Sequence, residues 1–125
     1  MSHGTFNWNE LNVRDVEKAK TFYAKTMGWS FDAMPMPDGA AYTMIKNGED
    51  VIGGMLDISG KEFEGIPACW FTYIEVDDVD ARLKVAVENG AQVIRQPWDV
   101  PQVGRIAILA EPEGTAVGWI TPAQQ

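Results

Sequence analysis

The chain is short of the side chains on which most metal and redox chemistry depends. It holds one cysteine, Cys69, and one histidine, His3, in 125 residues. A lone cysteine cannot close an internal disulfide, and inside its apolar stretch the thiol is expected to behave as a small, reduced hydrophobe, which suits a reducing cytoplasm. His3 stands near the start, where a terminal role outweighs a catalytic one. Without a second histidine no Ser-His-acid triad can be built, and Cys69 lacks a base to activate it. No glycine-rich phosphate loop follows a strand-like run. The pair Gly53-Gly54 is too short to cradle phosphate and reads as a bulge or a close backbone approach.

Basic charge is scarce as well. Eighteen acidic against ten basic side chains leave a formal charge of -8, which repels phosphate backbones and anionic lipid surfaces. The acidic residues are scattered, as at Glu49-Asp50, Asp77-Asp78 and Glu111, so they read as a solubilising surface rather than a binding tail. No apolar run approaches the ~20 residues that span a bilayer. The start, Met1-Ser2-His3-Gly4-Thr5, lacks the basic-then-apolar order of a secretory signal. The expectation is a cytoplasmic protein with neither nucleic acid nor membrane as partner.

What the chain does have is an internal repeat. Val13-Arg14-Asp15-Val16-Glu17-Lys18 recurs as Val76-Asp77-Asp78-Val79-Asp80-Ala81, 63 positions on, so two similar halves are implied. In each half a strand-like run (5–13; 68–76) leads into an aspartate placed to N-cap a helix. The first helix, over 16–26, carries Val16, Ala19, Phe22 and Tyr23 at helical spacing; the second repeats this with Val79, Leu83, Ala86 and Val87. Gly28 and Gly90 mark the helix ends. Extended stretches follow at 29–36 and 91–98, then strands at 41–46, 51–56, 105–110 and 116–120, separated by turns at Pro37-Asp38-Gly39, Asn47-Gly48, residues 101–104 and Glu113-Gly114. Residues 59–67 read as a linker anchored by Phe63 and Ile66. One domain over 1–125 results, built from a β-α-β-β-β module at 5–58 and another at 68–121.

Two such modules, with Val-x-Asp-Val-x-x-Ala-x-x-Phe-Tyr running into Met27-Gly28-Trp29 and with Gly104-Arg105-Ile106-Ala107 leading to Glu111-Pro112-Glu113-Gly114, resemble the vicinal oxygen chelate superfamily, the glyoxalase/bleomycin-resistance/dioxygenase group. The resemblance covers nearly the whole chain and is closest to single-domain glyoxalase-like proteins. It implies an α+β fold in which the strands of the two modules form a cup-shaped mixed sheet with helices outside and the site in the cup. It also implies a homodimer.

Metal-dependent members place four ligands in that cup, drawn from His, Glu and Gln. Carried onto this chain, the first-strand positions fall on Trp8 and Phe71, and the fourth-strand positions on Gly53 and Gly118. A divalent cation needs imidazole, carboxylate or similar oxygen from several positions at once, and these residues offer none, so metal-dependent lyase or dioxygenase activity is not expected and no cofactor is called for. Strand alternation adds Glu10, Met55 and Tyr73 to the cup wall and sends Leu11, Val13, Ile52, Leu56, Ile74, Val76, Val117 and Trp119 to the helices. Tyr42 is a further wall residue that can present a hydroxyl.

The aromatics and glycines at these positions either form an apolar slot for a flat molecule or fill the cup themselves. Three functions follow. The first is metal-independent binding of a small, partly aromatic molecule by Trp8, Glu10, Tyr42, Gly53, Met55, Phe71, Tyr73 and Gly118. The second is a cofactorless isomerase- or hydrolase-like enzyme with Glu10 as general base, although a glutamate at a strand end is more often solvated or paired, with Arg105 or Arg95 as partners here. The third is a degenerate scaffold that acts through a protein partner.

Overall fold

The computed structural model describes residues 2–36 and 41–123, so the turn expected at Pro37-Asp38-Gly39 lies outside the described residues. In chain order the elements are β1 (Phe6–Val13), α1 (Val16–Met27), β2 (Ser30–Pro35), β3 (Ala41–Asn47), β4 (Asp50–Asp57), a single 3-10 turn (Lys61–Phe63), β5 (Cys69–Glu75), α2 (Val79–Glu88), β6 (Gln92–Val100), β7 (Gly104–Ala110) and β8 (Ala116–Pro122). This is the β-α-β-β-β order, twice, of an α+β fold. The chain divides into two compact units, one of Trp8–Trp70 and one that joins the residues up to Asn7 with those from Phe71 onward.

In the first unit the strands lie in the order β2-β3-β4-β1, with β1 parallel to β4 and the other neighbours antiparallel. Asp15 caps α1 as its position predicts: its carboxylate accepts the Lys18 amide at 3.0 Å, satisfying one of the donors that the first helical turn leaves unpaired. Gly28 closes the helix at φ 73°. The helix lies over Leu11, Ile45 and Met55, a buried cluster completed by Val13, Val16, Ala19, Tyr23, Trp29 and Phe31. Arg14 donates to the carbonyls of Phe63 and Ile66. The linker is therefore tied down through its backbone, while the Ile66 side chain is exposed. Cys69 is exposed too, against the expectation of an apolar environment.

The second unit repeats the arrangement as β5-β8-β7-β6, with β5 parallel to β8. Asp78 accepts the Ala81 amide at 3.1 Å at the start of α2. The core is Val76, Val79, Leu83, Ala107, Leu109 and Val117, with Ile74, Val93 and Trp119 packed against it. At the N-terminal end Gly4 and Thr5 exchange backbone hydrogen bonds with Glu75.

Bulges, which add one residue to one strand and so reverse its alternation, decide which side chains face away from the helices. In β4, Ile45 pairs with Gly53 and Lys46 with Val51, which leaves Ile52 as the extra residue. Beyond it Met55 pairs with Leu11 and Gly54 with Glu10. Met55 is 0% exposed in the helix-side core. The assignment of Met55 and Gly53 to the cup wall is thereby corrected: both lie on the helix side, and Gly54 and Leu56 take the opposite face. In β6 the pairs Val93 with Leu109, Arg95 with Ile108 and Trp98 with Ile106 require two such shifts.

Candidate functional site

The helix-free face of the first unit carries Trp8, Glu10 and Asn12 from β1, Gly54 and Leu56 from β4, and Tyr42 and Met44 from β3, as the register dictates. Trp8 Nε1 donates to the Tyr42 hydroxyl at 2.9 Å. A Cβ added to Gly54 would collide with the Tyr42 hydroxyl and ring. The missing side chain is thus what lets the tyrosine lie against the β4 backbone. Glu10 and Asn12 are 7% and 8% exposed, and Asn12 Oδ1 accepts no hydrogen bond among the described residues.

The same face of the second unit repeats this plan. Tyr73 pairs with Gly118 as Glu10 pairs with Gly54, and a Cβ on Gly118 would run into the Tyr73 ring and stand 3.0 Å from Phe71. Phe71 meets Tyr73 edge-on, with centroids 5.1 Å apart, the geometry aromatic quadrupoles favour. Following the register across the strands gives one row of Tyr73, Gly118, Ile108 and Arg95, and a second of Glu75, Ile120, Ile106 and Trp98. The Arg95 guanidinium carbon stands 3.5 Å from the centre of the Trp98 ring.

Among the residues singled out from sequence, Trp8, Glu10 and Tyr42 come together in the first unit, and Phe71, Tyr73 and Gly118 in the second. Gly53 and Met55 join neither group. Gly54 was missed because two adjacent glycines carry no side-chain signal to say which faces in. Arg95 and Trp98 were missed because three residues of separation in an unbroken strand would put them on opposite faces; Pro97 between them was the one available hint of a bulge. The two arginines suggested as partners for Glu10 are engaged in their own unit. Arg105 pairs with Asp80 at 2.6 Å and Asp99 at 3.2 Å, and Arg95 stacks on Trp98.

The resemblance assigns the metal-ligand positions to Trp8, Phe71, Gly118 and Gly53, and the register puts Gly54 rather than Gly53 in the place equivalent to Gly118. Indole, phenyl and two glycines supply no oxygen, sulfur or imidazole nitrogen, so this donor set does not fit a divalent ion. Among the described residues no three of His, Cys, Asp or Glu come together in a way that could hold a metal. His3 Nδ1 accepts the Asp77 amide at 3.0 Å. Perturbed carboxylates on the surface include two beside α2, where hydrogen bonds from Arg82 hold Asp77 down to about 2 and Arg105 lowers Asp80 in the same way, and Asp57 at the end of β4, lowered by hydrogen bonds from Ser59.

Two surface hollows open on other sides. One, of about 330 Å³, is lined by Asn9, Trp29, Ile45, Ile52, Gly53 and Trp70. Gly53 lets the chain pass close there, since a Cβ would stand 2.6 Å from the Asn9 carbonyl oxygen. Tyr23 stacks on Trp29 at 4.8 Å, and Trp70 meets Trp29 edge-on. The other, of about 510 Å³, runs between α2 and β6 beside Asp80, Lys84 and Glu88.

A family profile described as the Glyoxalase/Bleomycin resistance protein/Dioxygenase superfamily matches residues 5–118. A Mycobacterium tuberculosis protein with a provisional glyoxylase designation, CFP32, is 37% identical over 122 residues, covering 98% of this chain and 46% of its own length. The anthracycline biosynthesis protein DnrV of Streptomyces peucetius is 30% identical over 120 residues, covering 87% of this chain and 44% of its own length. The chain thus spans less than half of either relative. Among solved structures, hypothetical protein BH1468 of Bacillus halodurans is similar at a TM-score of 0.74 and 17% identity, covering 99% and 98% of the two chains. The methylmalonyl-CoA epimerase of Mycobacterium tuberculosis is similar at 0.64 and 16%, covering 96% and 89%. These last two likenesses concern the fold.

Proposed function

We propose that this chain, which belongs to the glyoxalase/bleomycin resistance protein/dioxygenase superfamily, works without a metal and binds a small, partly aromatic molecule on the helix-free faces of its modules. The observation that carries the reading is the paired replacement at the ligand positions. Where a metal-dependent relative needs donors, this chain has Trp8 beside Tyr42 over Gly54, and Phe71 beside Tyr73 over Gly118. Flat rings with one or two polar tips suit a flat ligand with few polar groups. The relative named for anthracycline biosynthesis supports the reading, since an anthracycline is itself a flat, fused-ring molecule. A homodimer and a cytoplasmic location belong to the same proposal.

Tryptophan-fluorescence titration with 2-naphthol, run in parallel with thermal denaturation in zinc, nickel, manganese and EDTA, tests it. The expected result is saturable quenching, weakened by roughly 0.5–1.5 kcal/mol in Phe71→Ala, with no shift of the melting temperature by metal or chelator. Saturable stabilisation by one of the metals, reversed by EDTA, contradicts it.

A second reading has one observation in its favour. Glu10 is the buried carboxylate among the described residues, and it shares its face with Trp8 and Tyr42. As a general base it would make the protein a cofactorless isomerase or hydrolase. Mass-spectrometric screening of small carbonyl compounds and aromatic acids separates the readings: conversion by the native protein that Glu10→Gln abolishes, with its fold intact, establishes the enzyme. Absence of conversion leaves the binding protein.

A further inference from the structure

We propose that the helix-free face of the second module is selective for an aromatic carboxylate, with Arg95 receiving the anionic group against Trp98 and the Phe71–Tyr73 pair taking the ring. The inference rests on the small-molecule reading above and names the ligand class.

Arg95 differs from the other arginines. Arg82 and Arg105 are matched to Asp77 and to Asp80 with Asp99, and Arg14 is spent on the Phe63 and Ile66 carbonyls. Among the described residues Arg95 meets no carboxylate, although acidic side chains outnumber basic ones by eighteen to ten. Its carbon instead stands 3.5 Å over the Trp98 ring. Stacking a guanidinium on an aromatic face satisfies its flat side and leaves its edge of N–H donors directed outward in a fork that fits a planar carboxylate. The nearest acids in the register are already used: Asp99 is paired with Arg105, and Glu75 accepts the Ser2 amide at 2.6 Å.

The chain departs from regular strand geometry to produce this arrangement. Both register shifts in β6 flank Arg95, one before it and one between it and Trp98. The first moves Arg95 off the helix side, where Val93 packs. The second brings Trp98 onto the same face, which an unbroken strand cannot do across three residues. Bulges of this kind re-aim side chains beside functional sites. Between Arg95 and Tyr73 the row holds only Ile108 and Gly118, an apolar floor about 14 Å from end to end at the usual strand spacing. A single positive charge at one end, rings at both and no donors between fit a monoanionic aromatic acid. A polyanion is disfavoured by the net charge of -8.

The test compares 2-naphthoate with 2-naphthamide, its neutral counterpart of the same shape, by tryptophan quenching and calorimetry on the native protein, Arg95→Gln and Arg95→Lys. The native protein is expected to bind the acid about tenfold more tightly than the amide. Arg95→Gln should bring the two within about twofold by weakening the acid much more than the amide, and Arg95→Lys should keep part of the preference. A merely structural role for Arg95 would move both probes together. Equal affinities in the native protein, or a preference that survives Arg95→Gln, overturns the carboxylate site while the amide's binding still upholds the small-molecule reading. Failure of both probes to bind overturns the two together.

Discussion

The Tyr42 ring occupies the space that a side chain on Gly54 would need, and its hydroxyl is held there by Trp8 Nε1 at 2.9 Å. Gly118 stands in the same relation to Tyr73 in the second module. A methyl group on Gly54 must therefore push the ring aside and disturb the Trp8 hydrogen bond. Gly54→Ala is expected to destabilise the protein by about 1–3 kcal/mol, the range for overpacking a filled site. Because the three atoms nearest that methyl all belong to Tyr42, Tyr42→Ala in the same chain should recover part of the loss. Urea denaturation of both single variants and the double variant checks this: a coupling of about 0.5 kcal/mol or more is expected between the two, and strict additivity contradicts it.

Met55 and Leu56 test the face assignment in β4. Met55 is fully buried with Leu11 and Ile45, whereas Leu56 is half-buried on the opposite face. Met55→Ala should cost about 2–5 kcal/mol, as other core truncations do, and leave probe binding unchanged where the fold persists. Leu56→Ala should cost less. Denaturation curves in which the two losses are reversed would return Met55 to the open face.

Acid should weaken the second module through Asp77. Its carboxyl is held down to about 2 by Arg82, against an ordinary 3.8 in the unfolded chain. A depressed carboxylate contributes stability that is fully present above its unfolded value and is lost as pH falls through its folded value, so the window here runs from about 4 to about 2. Stability measured by circular dichroism should fall with pH across that window, and Asp77→Asn should flatten the fall while lowering stability at neutral pH. An unchanged slope in the variant contradicts the assignment.

Much of the fold was legible because local chemistry and tertiary need agree. Asp15 and Asp78 sit where the helices need acceptors, Gly28 where a left-handed residue closes a turn, and Val13 and Val76 open equivalent turns 63 residues apart. The core sides of β1, β5 and β8 also followed from alternation, as Leu11, Ile74, Val76 and Val117 demonstrate. The site was legible only in part. Two adjacent glycines do not say which of them faces in, so anchoring the alternation on Gly53 instead of Gly54 misplaced Gly53 and Met55, and the register shifts around Arg95 hid its stacking on Trp98. Nor could a one-dimensional pattern reveal that tyrosines lie over Gly54 and Gly118, because those contacts join residues on different strands.

Under the proposed function, Trp8 with Tyr42 and Phe71 with Tyr73 present aromatic surface where a metal-dependent relative holds its cation. Native mass spectrometry of the protein, purified without chelator, tests it most directly, since one spectrum reports subunit number, bound metal and retained small molecules. The expected result is a metal-free dimer carrying an organic mass that is released on denaturation. A stoichiometric divalent metal that survives desalting would contradict it and place ligands on residues other than Trp8, Gly54, Phe71 and Gly118.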